Sequence, residues 1–200
     1  FNVAIGKAAL STEDTHGKNV AIGYAALETQ DAGADAFNIA VGFNAGNAVT
    51  TGVQNTLIGG QAGDALTTGS GNVAIGFDAL GAEDSHGRNV AIGYLTLQSQ
   101  NAGTDAYSVA VGYNAGNTIT TGVLNTLIGG LSGDALTTGD RNVAVGYEAL
   151  STEDTGSRNV AIGEGSLTTL NFDGAGYNVA LGYNSGHAMT TGNKNTIIGG

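Results

Sequence analysis

The sequence predicts an all-β parallel solenoid, a roll of about twelve short coils stacked along one axis. Three observations carry that expectation. A five-residue unit closing in Gly recurs from end to end: NVAIG at 2–6, 19–23, 72–76, 89–93 and 159–163, with variants opening at 38, 55, 108, 125, 142, 178 and 195. Successive units lie 17 or 19 residues apart, and a helical hairpin needs 33 or more residues per repeat. Within the unit the alternation has period two, as in a strand.

Taken in order, the unit opens with Asn in eleven of twelve copies, Ser108 being the exception. Asn at the same place in every coil predicts an amide hydrogen-bond ladder along the rod. Next come three strand residues. Val3 and Ile5 are expected to face the core and Ala4 to face out, which would leave a narrow outward strip of small residues (Ala4, Ala21, Ala40, Ala74, Ala91, Ala110, Ala144, Ala161, Ala180). The closing Gly marks a corner where a Cβ would clash. The second half of the coil has two versions. Leu follows the Gly by four residues at Leu10, Leu27, Leu80, Leu97, Leu150 and Leu167; elsewhere that place is Gly, and Val49, Leu66, Ile119, Leu136 or Met189 arrives three positions later. This predicts a second strand per coil, about three large inward residues and two polar turns. The spacings run 17, 19, 17 and 17 and then start again, a higher period of 70 that divides one repeat domain, 1–200, into 1–70, 71–140 and 141–200.

Composition excludes much else. The chain holds 35 Gly but no Pro and no Cys, so neither a collagen helix nor a disulfide or thiolate-metal scaffold is available. With 41% hydrophobic residues it is too apolar for disorder, yet no run approaches a membrane span. A net charge of -11 repels nucleic acid and anionic membrane, so neither is an expected partner. A core this thin calls for a staple, either bound Ca²⁺ or other chains. The chain opens on Phe1 without a signal segment and reads as a segment of a longer fibre.

The units NVAIGYAAL at 19–27 and NVAVGYEAL at 142–150 resemble the head repeats of YadA-type trimeric autotransporter adhesins and the Asn- and Gly-rich repeats of phage and viral tail fibres. The resemblance implies a β-roll packed side by side with two further copies, the Ala strip facing its neighbours. It also implies an extracellular place, on a cell surface or a virion, and attachment to a host receptor or surface glycan. A spacing of 17 and 19 departs from the shorter repeat of that family. The alternatives are a tail-fibre shaft, a monomeric calcium-dependent secreted β-roll, and an ice-binding solenoid. The last would need Thr pairs on every coil, and the Thr-Thr-Gly turns occur only on the third and fourth of each block, as at Thr50-Thr51.

Candidate binding residues fall in two groups. The acidic turns Glu13-Asp14, Glu83-Asp84 and Glu153-Asp154 are expected to be solvated, with a cation or a receptor as the other use of paired carboxylates. The 19-residue coils end in Phe37, Tyr107 and Tyr177, aromatic residues at regular spacing that either pack on the roll or anchor a partner. The segments at 59–66 and 129–136 look like a calcium nonapeptide with a shifted spacing, and Asp64 and Asp134 are expected on exposed turns. Three scattered His make no triad, no phosphate loop is present, and no catalysis or resident metal is expected.

Overall fold

The computed structural model describes residues 1–14 and 16–200. Its strands are β1 (Val3–Ile5), β2 (Val20–Ile22), β3 (Ile39–Val41), β4 (Thr56–Ile58), β5 (Val73–Ile75), β6 (Val90–Ile92), β7 (Val109–Val111), β8 (Thr126–Ile128), β9 (Val143–Val145), β10 (Val160–Ile162), β11 (Val179–Leu181) and β12 (Thr196–Ile198). They form one parallel sheet in chain order, each strand in register with the next, as Val20 with Ile39, Ala21 with Ala40 and Ile22 with Val41. The chain is a parallel β-solenoid of about twelve coils.

The closing glycines make the corner obligatory. Gly93 has φ +139°, and a Cβ there would lie 2.7 Å from the carbonyl carbon of Gly112 in the next coil. The same relation links each such glycine to the next, from Gly6 to Gly182.

Beyond the corner the expected second strand does not form. In the sixth coil Leu95, Leu97 and Tyr107 have φ of 53°, 49° and 50°, so the chain curls through left-handed residues. Backbone bonds between coils nevertheless continue through the curl: Ala25 N–H donates to Lys7 C=O at 2.9 Å and Leu27 N–H to Ala45 C=O at 3.1 Å. The conformational cost, about 1 kcal/mol or more per left-handed residue, is offset by those bonds and by the side chain each such turn directs inward.

The orientation of the strand is the reverse of the expected one. Ala21, Ala40, Ala74, Ala91, Ala110, Ala144, Ala161 and Ala180 are all buried, whereas Val3, Ile5, Ile39, Ile58, Ile128, Ile162 and Ile198 are exposed. The small residue faces in because the ring is narrow. A Leu from the curl already crosses the interior, and in the second coil the buried apolar side chains are Ala21, Ala25, Ala26, Leu27 and Ala36, not three large aliphatics. Where the strand centre is itself large, the curl supplies Gly. A Cβ on Gly46 would stand 2.6 Å from Leu57 Cδ1, and one on Gly63 would stand 2.8 Å from Leu57 Cδ2. Bulk moves from one wall to the other while the enclosed volume is kept.

The corner makes a sharp prediction. Gly93→Ala destabilises the chain by at least about 3 kcal/mol, because the new methyl meets the backbone of the next coil. Gly103→Ala, at a left-handed position with no atom within 4 Å of the new Cβ, costs only about 1 kcal/mol. Urea midpoints of the two variants check the contrast.

Candidate functional site

The Asn at the head of each coil builds the ladder expected of it. Its side-chain Oδ1 accepts the backbone N–H of the corresponding residue in the next coil: Asn19 to Asn2 at 3.0 Å, Asn38 to Asn19 at 2.9 Å, Asn55 to Asn38 at 2.8 Å. The series passes through Ser108 and ends with Asn195 on Asn178. In a 17-residue coil the amide Nδ2 also closes its own ring on the carbonyl fourteen residues later, as Asn55 does on Gly69 at 2.9 Å and Asn142 on Gly156 at 2.8 Å.

Aligning the coils on that Asn places Glu13, Gln30, Val49, Leu66, Glu83, Gln100, Ile119, Leu136, Glu153, Leu170 and Met189 in one column, eleven residues after the head. The column points inward. Glu83 and Glu153 are therefore fully buried, not solvated, and Glu13 is half-buried. Asp14 and Asp84 are exposed and Asp154 is half-buried, while Thr15, between Asp14 and His16, lies outside the described residues.

The three glutamates end differently. Glu13 Oε1 accepts His16 N–H at 3.0 Å and Oε2 accepts Asn19 Nδ2 at 3.4 Å. Glu153 Oε1 accepts Gly156 N–H at 2.8 Å and Oε2 accepts Phe172 N–H at 3.2 Å. Glu83 Oε1 accepts His86 N–H at 3.2 Å, but its Oε2 is buried with no partner, and so is Asn89 Nδ2. Burial holds the carboxyls of Glu83 and Glu153 above the ordinary carboxylate range. Asp84 is held below it by the hydroxyl of Ser85.

Gln30 performs a related task in the next coil. It accepts Asn38 Nδ2 at 2.6 Å and donates to Thr50 C=O at 2.9 Å. At the corresponding place Gln100 faces Ser108, which has no amide to offer, and Gln100 Oε1 is left without a partner.

The aromatic residues that end the long coils occupy the left-handed corner just before the head residue of the next coil, with φ of 56° at Phe37, 50° at Tyr107 and 51° at Tyr177. Each is about half exposed. A cation from the preceding coil stands over each ring: Lys18 over Phe37 at 5.0 Å, Arg88 over Tyr107 at 5.5 Å, and Arg158 over Tyr177 at 5.7 Å. Lys18 also pairs with Asp35 at 2.6 Å, and Arg88 with Asp105.

A second aromatic column follows the corner glycine and was not singled out from sequence: Tyr24, Phe43, Phe77, Tyr94, Tyr113, Tyr147 and Tyr183, all exposed. Tyr24 stacks on Phe43 with centroids 5.4 Å apart, and Tyr94 on Tyr113 at 5.7 Å. The signal was present in every NVAIGY string. Asp64 and Asp134 are half-buried, not exposed. Burial, and then the neighbouring carboxylates of Asp78 and Glu148, raise them. Asp64 and Asp78 line an open cleft of about 500 Å³ with Gly81, Ala82, Gln98 and Ser99. Among the described residues no helix is long and apolar enough to cross a membrane.

The fold and these columns define the class, a parallel β-solenoid with a polar spine and an apolar outer face. No family model, curated protein or solved structure matches the chain.

Two predictions follow from the spine. Glu83, Glu153, Asp64 and Asp134 are all raised above their ordinary values of 4.5 for Glu and 3.8 for Asp. A raised carboxyl contributes stability below its unfolded pKa that is lost as pH climbs through the folded one. The urea midpoint therefore rises on going from pH 7 down towards pH 4.5, and the double variant Glu83→Gln/Glu153→Gln flattens that rise. Separately, Ser108→Asn supplies the missing amide to Gln100 and stabilises the chain by about 1 kcal/mol, read from the same titration.

Proposed function

We propose that the chain is a non-catalytic structural and adhesive segment of an extracellular fibre in which three copies pack side by side. One observation supports this above all: nine of the twelve strands turn two aliphatic residues outward and the other three turn Thr56, Thr126 or Thr196 with an Ile, so a largely aliphatic face runs along the length of the sheet. Parallel sheets are normally covered on both faces, and an exposed apolar area of this extent marks an interface. A second and third copy of the same chain offer an identical stripe at the same coil spacing. The likeness of NVAIGYAAL to adhesin and tail-fibre repeats supports the same reading. The face that meets the neighbours is the Val and Ile face, in place of the Ala strip. Stacked coils make a stiff rod, and surface features repeated along it turn weak contacts with a receptor or glycan into avidity. A cell-surface adhesin and a virion tail fibre would use this construction alike.

Light scattering on the purified chain tests the proposal. The expected mass is three times 19.7 kDa, unchanged by a calcium chelator. Ile92→Lys/Val111→Lys, on the outer face, yields a single-chain mass with the far-ultraviolet β signal retained. Ala91→Lys, inside the ring, abolishes the fold itself. A single-chain mass for the unaltered chain at high concentration would overturn the proposal.

A further inference from the structure

We infer that the turn Glu83-Asp84-Ser85-His86 is a binding site for a divalent cation of the zinc class, held by the carboxylates of Glu83 and Asp84 and the imidazole of His86. This inference stands apart from the fibre proposal, since every residue in it belongs to one coil. Two independent observations carry it. Ligand atoms of Glu83, Asp84 and His86 all lie within 4.8 Å of one another, with His86 Nδ1 3.9 Å from Glu83 Oε1. Separately, Glu83 is wholly buried and its second carboxylate oxygen has no hydrogen-bond partner. A buried anionic oxygen left unpaired is costly, and a bound cation removes the cost.

The other two copies of the turn show why this one stands out. At Glu153 both oxygens are taken by the backbone N–H groups of Gly156 and Phe172, and Gly156 stands where the second copy has His86. At Glu13 the second oxygen accepts Asn19 Nδ2, and the nearby groups are Asp14 and Asp31, an all-oxygen set. Among the described residues, the second copy alone of the three turns has an unpartnered buried carboxylate oxygen together with a histidine in its ligand cluster; the first copy also carries His16, but its Glu13 oxygens are both engaged. Its outer members are already oriented: Ser85 Oγ lies 2.8 Å from Asp84 Oδ1 and 3.1 Å from His86 Nδ1, bridging the two.

The donor set selects the ion. Imidazole with carboxylates suits zinc and its neighbours over calcium or magnesium, which take oxygen alone. Zinc binds nitrogen and oxygen at about 2.0–2.2 Å, so the exposed Asp84 and half-exposed His86 draw inward while Glu83 stays fixed in the ring. A net charge of -11 concentrates cations around the chain.

Titration calorimetry of the full chain with zinc chloride at pH 7 tests the site. The expected result is one saturable equivalent that Asp84→Asn and His86→Gln each weaken at least tenfold. Asp154→Asn in the third turn leaves it unchanged, and calcium chloride does not compete. Cobalt(II) gives an independent readout, an absorption band of a four-coordinate nitrogen and oxygen site that vanishes in His86→Gln. Circular dichroism of each variant confirms that the fold is retained. Light scattering with and without zinc keeps the result separate from the fibre proposal, because binding by a single chain upholds the site and refutes the trimer. Absence of a saturable equivalent, or equal affinity in both variants, overturns the inference and leaves Asn89 to serve Glu83.

Discussion

The side-chain amide at the head of each coil is the interaction on which the rest of the structure depends. By accepting the backbone N–H of its counterpart one coil away, each Asn locks successive coils into residue-for-residue register, as Asn55 does for Asn72 at 2.9 Å. That register is what aligns the corner glycines, the inward Ala column and the outward Val and Ile face. A slip of one residue would turn the small inner column outward and drive a Cβ into the backbone at the corner.

The interior follows from the narrowness of the ring. With a three-residue strand and a corner on one side, the remaining chain must return in a short arc, and it does so through left-handed residues such as Ala25 and Leu27, with φ of 53° and 50°. The arc turns position eight and position eleven of each coil inward. Position eight is Gly where the strand centre is Leu, as at Leu57 and Gly63, and also in the coil before it, where Gly46 leaves room for Leu57. Position eleven holds aliphatic residues in some coils and Glu or Gln in others. In the long coils the carbonyl that would close the Asn amide is carried away on the two-residue insertion, and at Asn19 the polar member Glu13 takes its place. Gln30, itself in a long coil, accepts the amide of Asn38, which also closes on Gly52 C=O. The candidate cation turn arises from the same arrangement at a place where a carboxylate oxygen is left over.

Much of the candidate site was visible in the chain, though not its environment. The recurrence of Glu-Asp marked the acidic turns, and the spacing of Phe37, Tyr107 and Tyr177 marked the corner aromatics. Reading the turns as solvated treated charge as a guide to exposure. Aligning the coils on Asn would have set Glu83 in the column of Leu66 and Leu136 and shown that it points inward. The cations over the corner rings were less accessible, because Lys18 and Phe37 are far apart in sequence and meet only once adjacent coils stack.

The sequence by itself determined the number of coils, their register and their corners, because an Asn and a Gly at constant spacing admit one way of stacking in parallel. It could not determine which side of each strand faces in. Val-Ala-Ile is apolar on both faces, so alternation alone reads the same when inverted. Only the closed ring decides, since its width admits Ala opposite Leu and excludes Val and Ile. The tertiary structure alone likewise decided that the second half of the coil is a left-handed curl. Leu, Ala and Glu do not favour that conformation locally, and they adopt it because the hydrogen bonds from coil to coil require it.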